Sequence, residues 1–393
     1  MSYRFPYEGI RVLDVSQGFA GPYAGGMLSL YGASVIKVEP PEGDWVRTIG
    51  RAFNGQTPLC VVANRGKRSI AIDLKADAGR DIVHRLARDA DVFIESSRPG
   101  VAARLGIGYD DIYAINKRIL YLSVSGFGQD GPSATRPATD TVIQANSGFM
   151  SINEGTDGIP HRAGALIADT STGIYAFQAI AAALHARQSE EEGCYLDISL
   201  MQGTAAFLSH KILEYYVEHG TPRPLNAPAG SYRTKDGWIA ITLVKEHHFR
   251  RLCEALGRED LADDPRFADF DTRAEHIEAL REIVGGILAT RTATEWTELF
   301  SRHEVLSNPI ADFGDWLDDP QAKAIEAAPV VNQPGMGDVP IPTIPGTDPY
   351  REPESAPVAP AIGEHGAEIL AELGYDGDAI AVLARDGAIK LPD

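Results

Sequence analysis

An α/β protein is the fold class this 393-residue sequence predicts: an open parallel sheet in a large domain, joined to a smaller α+β domain. Two observations carry that expectation. Short β-branched runs alternate with helical periods through the first half, as in a parallel sheet covered on both faces. Past residue 220 a proline-rich stretch and a hairpin signal break the rhythm. The composition, 44% hydrophobic and 23% charged, is ordinary for a globular protein and excludes a disordered or collagen-like chain.

Ile10–Val15 is the first strand, followed by a glycine-rich turn and a helix to Tyr31 that Gly32 stops. Ser34–Val38, Ser69–Leu74, Asp91–Ile94 and Ile119–Val124 repeat the strand pattern. Ile82, Val83 and Leu86 recur at helical spacing between two of them. This sequence of strands and helices is Rossmann-like. A long helix is expected over Leu200–His219, so the large domain is read as 1–220 and the linker as 221–229. The small domain, 230–328, opens on the hairpin Gly230–Thr234 and Trp238–Thr242 around Asp236-Gly237, and continues with helices near 249–256, 276–289 and 294–303. Residues 329–360 are rich in proline and glycine without periodicity, an extended excursion that wraps around something. Residues 361–393 return to the large domain through a helix over Ala367–Leu373.

Charge and cysteine content narrow the function. A net charge of -19 repels polyanions, which argues against a nucleic-acid binder. Cys60, Cys194 and Cys253 lie far apart without CxxC spacing, which excludes a disulfide framework and a thiolate zinc site and fits a reducing, cytoplasmic setting. Met1–Glu8 lacks the apolar run of a signal peptide, and Ile174–Leu184 is too short to span a bilayer, so no membrane partner is expected.

Several motifs have two readings. Gly18 and Gly21 have the spacing of the last two glycines of a dinucleotide fingerprint and Glu39 ends the next strand, but Ser16 replaces the first glycine; the alternative is a plain strand-to-helix turn. Lys75 and Arg98 sit at the carboxyl ends of parallel strands, with Arg104 nearby, where open sheets bind ligands; together they suit a polyphosphate, singly they read as surface charge. Asp169 precedes an apolar helix in Gly164-Ala-Leu-Ile-Ala-Asp-Thr-Ser-Thr-Gly173. It reads either as a helix N-cap or as a carboxylate nucleophile. The histidines have no zinc spacing, and Ser123-Val-Ser125-Gly126 lacks the first glycine of a nucleophile elbow. Arg162 and Arg233 are candidates to meet a dicarboxylate.

Seven segments in order resemble a family III (CaiB/BaiF-type) CoA transferase. They are Gly9–Asp14, Ala20-Gly-Pro22 with Gly32–Pro40 and Gly43-Asp44, Asn64–Lys75, Arg98-Pro-Gly100, Ser125–Pro132, Ala168-Asp-Thr170 with Gly173, and Gly363-Glu-His365 with Leu370 and Leu373-Gly374. The resemblance implies an enzyme that moves CoA from an acyl-CoA to a small carboxylic acid, with Asp169 as covalent carrier through an aspartyl anhydride and an aspartyl-CoA thioester. It implies coenzyme A as co-substrate, with no prosthetic group or metal, and CoA contacts at Lys75, Arg98, Arg104, Gln17, Ser96 and Asp140. It also implies an interlocked, ring-like homodimer in which 329–360 is the wrapping arm. Backbone N–H groups at the helix start are expected to stabilise the oxyanion and to depress the pKa of Asp169. Two rival readings stand beside it. An acyl-CoA racemase would carry histidine where this chain has Thr139, so two-base proton transfer lacks a partner. A non-catalytic CoA-binding dimer would use Asp169 only as a cap.

Overall fold

The computed structural model describes residues 5–155, 158–348, 350, 352–353 and 356–392, so Met1–Arg4 of the N-terminal stretch fall outside it. The chain divides into two compact units, residues 1–209 with 325–393, and residues 210–324.

The larger unit is built on six parallel strands: β1 Arg11–Asp14, β2 Ser34–Glu39, β3 Arg68–Ile72, β4 Val92–Glu95, β5 Leu120–Ser125 and β6 Cys194–Ser199. The connecting helices are α1 Ala20–Leu30, α2 Pro58–Asn64, α3 Asp77–Arg88, α4 Val101–Arg104, α5 Tyr109–Ile115, α6 Asp140–Asn146, α7 Ile167–Ala186 and α8 Leu200–Phe207. The smaller unit holds β7 Gly230–Arg233, β8 Trp238–Thr242 and β9 Leu306–Pro309 as an antiparallel sheet. In the returning segment lie β10 Val330–Gln333, β11 Gly337–Pro340 and β12 Ile389–Lys390.

The order of the main sheet is β12-β3-β2-β1-β4-β5-β6, with only β12 antiparallel. The chain therefore runs outward from β1 to β3, returns to β4, and runs outward the other way. Both faces are covered, and the period of two sorts the side chains. Leu13, Val38, Phe93 and Tyr121 join a core with Ile82 and Val83 of α3 and with Ile369 and Leu370. Val12, Val35, Val92, Ile94, Leu120 and Leu122 join another with Ala24 and Leu28 of α1, Ile143 of α6 and Ile180 of α7. The smaller unit packs Ile239 and Ile241 against Phe249, Leu280, Trp296 and Phe300.

Three expectations need correction. The helix expected over 200–219 is two: α8 ends at Phe207, and a second helix runs Ser209–Val217. The excursion after Pro329, expected without periodicity, carries a hairpin in which β10 and β11 pair. Its described part lies on its own large unit: Val331, Ile341 and Ala359 pack with Val61 of α2, and Gln333 Nε2 donates to Gln56 Oε1 at 2.9 Å. The C-terminal return contains a helix beyond the expected one, Gly377–Arg385, before β12. No helix among the described residues is long and apolar enough to cross a membrane.

Candidate active site

The reversal of strand order between β1 and β4 opens a crevice at the carboxyl ends of the strands, where open α/β sheets bind ligands. The cavity there is about 590 Å³. Its wall comes from the loops after β1 (Gln17, Phe19) and β4 (Ser96, Arg98), the 134–139 segment after β5, Leu200 after β6, and Asp169.

The loop after β1 is pinned from below by buried charge. Asp14, Glu39 and Asp44 face Lys37, Arg47 and Lys67, all under 5% exposed, so the cluster is neutral. Lys67 Nζ donates to Asp14 at 2.7 Å, Lys37 Nζ to Asp44 at 3.1 Å, and Arg47 to both Glu39 oxygens at 2.7 Å. Burial drives Lys67 down to about 8, still protonated at neutral pH. Burial also penalises the Asp14 carboxylate, but the ammonium groups of Lys67 and Lys37 outweigh it and hold the group below its ordinary value. Asp44 in turn accepts the Gly18 N–H at 3.0 Å. Gly18 has φ +84°, and a side chain there would run into the Trp45 indole. The glycine turn is thus explained by close packing, with Gly21 against Ser16, rather than by a dinucleotide phosphate. Ser69 Oγ donates to Glu39 at 2.7 Å and accepts the Gly363 N–H at 2.9 Å, which ties the returning segment to the same cluster.

Across the switch point the two loops are clipped together. Ser96 Oγ accepts the Gln17 N–H at 2.8 Å and donates to the Gln17 carbonyl at 3.0 Å. Below them the buried Glu95 carboxylate accepts the Ser97 N–H at 2.7 Å, and burial pushes its pKa up. Gln17, Ser96 and Arg98 all reach the crevice wall; Lys75 and Arg104 do not. A Cβ on Gly100 would lie 3.3 Å from Arg104 Nη1, so the Arg104 guanidinium folds back beside the Arg98-Pro-Gly100 turn. Lys75 follows β3, its N–H donating to Asp73. Arg162 is exposed and outside the wall, and Arg233 lies over the Trp238 ring of the smaller unit.

Asp169 sits in the first turn of α7, not at its cap. The helix begins at Ile167 with Leu166 at the N-cap position, and no side chain of that residue caps it. The capping reading of Asp169 is therefore overturned. The cap comes from another helix: Asp140 of α6, 3% exposed, accepts the N–H groups of Ala168 at 2.8 Å and Asp169 at 3.1 Å. One turn on, Gln144 donates to the Ala165 carbonyl and accepts the Ala163 N–H. Asp140 is thus a buried anchor of α7 and does not line the crevice, contrary to its expected CoA contact. α7 is also pressed onto α1, since a Cβ on Gly173 would lie 2.9 Å from the Ala20 carbonyl oxygen.

This arrangement reverses the expected titration of Asp169. Two N–H groups of the helix start are taken by Asp140, and the Asp169 carboxylate accepts no hydrogen bond among the described residues. Burial first, and the charge of Asp140 second, raise its pKa to about 7. The group is less ionised and a stronger nucleophile when ionised. Thr139 lines the crevice where a racemase would place histidine, and no histidine stands in the wall.

A Rossmann-like sheet with a buried carboxylate of raised pKa in its switch-point crevice has the form of an enzyme site. The chain belongs to CoA-transferase family III, whose model matches residues 7–366. It is 35% identical over 379 residues to the acetyl-CoA:oxalate CoA-transferase of Acetobacter aceti, covering 93% of this chain and 95% of that one. It is 36% identical to the succinate–glutarate CoA-transferase of Agrobacterium fabrum, covering 94% and 96%. A crystal structure of a CaiB/BaiF family protein from Brucella suis superposes with a TM-score of 0.82 at 32% identity, covering 94% of this chain and all of that one. The protein is an enzyme, a CoA-transferase.

Proposed function

We propose that this enzyme transfers CoA between two carboxylic acids through covalent intermediates on Asp169. The single observation that carries the reading is the Asp169 carboxylate, raised to about 7 and free of hydrogen bonds to described residues, in the wall of the switch-point crevice. An Asp169 oxygen attacks the thioester carbonyl of the donor, the C–S bond breaks, and CoA leaves as thiolate. The thiolate then attacks the aspartyl carbonyl of the mixed anhydride and expels the donor acid. An acceptor carboxylate attacks the resulting aspartyl-CoA thioester, and the released thiolate takes the new acyl group and frees Asp169. Thioester energy is conserved because each step exchanges one activated acyl bond for another. The anhydride must be kept from water, which a crevice at the switch point favours.

For CoA itself the reading uses Gln17, Ser96 and Arg98 on the wall, with Arg104 and Lys75 outside it for the nucleotide phosphates. Asp140 acts through Asp169 rather than on CoA. We also infer a homodimer. The residues Ile174, Met201 and Phe207 of α7 and α8 are 46%, 43% and 48% exposed on one chain, and a helix apolar on all sides belongs in an interior. The small domain over 230–328 and the wrapping arm over 329–360 remain the proposed partition for that assembly.

Asp169→Asn tests the chemistry. Transfer between succinyl-CoA and a carboxylate is expected to vanish while CoA affinity stays within about twofold; retained turnover would refute the assignment.

A further inference from the structure

Two arginines stand in the crevice wall without an acid opposite them. Neither Arg98 nor Arg136 forms an ion pair with a described carboxylate. Arg98 stands on the turn after β4, where the Arg104 guanidinium folds back beside Gly100. Arg136 comes from a different part of the wall, the segment between β5 and α6. Its N–H donates to the Ser133 carbonyl at 2.9 Å, and its guanidinium carbon lies 5.0 Å from the centre of the Phe127 ring. Ala138 packs so tightly on Gly126 that a Cβ there would meet it at 2.3 Å. Two residues further, Asp140 holds the Asp169 N–H at 3.1 Å. One short segment therefore anchors the nucleophile at one end and presents a stacked guanidinium at the other.

We propose that Arg136 is a specificity-determining residue that receives the second carboxylate of a dicarboxylic acyl group or acceptor, so that this enzyme moves CoA between dicarboxylic acids. The inference rests on the reading of Asp169 as carrier and deepens it. In a protein of net charge -19, a dianionic acid approaching the ionised nucleophile needs a local cation. A guanidinium stacked on an aromatic face keeps its edges free for bidentate contact with a carboxylate. A monocarboxylic acyl chain has no use for that charge at its far end. CoA phosphates would present the same chemistry to an arginine, but the basic residues proposed for them sit on the β3 and β4 side.

Equilibrium binding in an Asp169→Asn background separates the two anions. Succinyl-CoA, butyryl-CoA and CoA are titrated with Arg136 intact and with Arg136→Gln. Succinyl-CoA is expected to bind at least tenfold more weakly to the glutamine variant, with butyryl-CoA and CoA unchanged, and Arg136→Lys is expected to restore part of the loss. Equal weakening of all three would assign Arg136 to the CoA phosphates and overturn the proposal. No weakening of any would also overturn it. Failure of the Asp169 reading shows elsewhere, as continued CoA exchange between succinyl-CoA and glutarate by the Asp169→Asn protein, whatever the binding contrast.

Discussion

Replacing Asp169 by asparagine should make this protein more stable, by an amount that grows as pH rises from about 4 to about 7. A carboxyl group whose pKa rises on folding binds its proton more tightly in the native state than in the unfolded one. The stability it contributes is present at acid pH and is lost as pH climbs from its ordinary value through the folded one. For Asp169 that window runs from 3.8 to about 7. At pH 8 the wild-type protein carries a cost of at most about 4 kcal/mol that Asp169→Asn removes, and at pH 5.5 a cost of about 2 kcal/mol. Urea unfolding of both proteins at the two pH values measures it. The asparagine variant should be the more stable at both, with its advantage growing by up to about 2 kcal/mol from pH 5.5 to pH 8. A helix cap predicts the opposite sign, a loss of about 1 kcal/mol on substitution. An Asp169→Asn protein less stable than wild type, or an advantage unchanged by pH, would refute both the burial argument and the role of the Asp140 charge.

Three further outcomes follow from the same geometry. The acid limb of kcat/KM should titrate near pH 7 as Asp169 ionises, and Asp140→Asn should move that limb to lower pH, since it removes the second cause of the shift; a pH-rate profile of each protein decides it. Asp44→Ala removes the carboxylate that Lys37 donates to, makes the buried cluster net positive and releases the Gly18 N–H, so it should cost about 3–5 kcal/mol in urea unfolding, the usual loss when one side of a buried pair is removed. Gly173→Ala sets a methyl group 2.9 Å from the Ala20 carbonyl oxygen and should cost about 1–3 kcal/mol, with a lower kcat because α7 carries Asp169.

The strands of the main sheet were legible where residues on both faces are apolar, as in Val92–Ile94 and Leu120–Leu122. β6 was not, because as an edge strand it alternates half-buried positions with exposed ones around Asp197 and shows no apolar run. β12 is two residues long, too short for any period. Asp169 could be singled out from its place before an apolar helix, but its titration could not. The deciding partner, Asp140, lies 29 residues away on another helix, and only the fold shows that it takes the N–H groups of α7. Asp14, Lys37, Asp44 and Lys67 looked like scattered motif residues. The one local signal for their burial was Lys37 set between Ile36 and Val38 inside a strand, a charge where a parallel sheet wants a hydrophobe. Arg136 carries no local signal in the sequence, since nothing in its own neighbourhood marks a wall of the crevice; the stack on Phe127 appears only in three dimensions.

Mass spectrometry of the enzyme mixed with an acyl-CoA donor and no acceptor, quenched and digested, tests the covalent carrier most directly. The peptide containing Asp169 should carry CoA in thioester linkage, labile to hydroxylamine and absent from the Asp169→Asn protein. An unmodified peptide from enzyme that turns over under the same conditions would contradict the account.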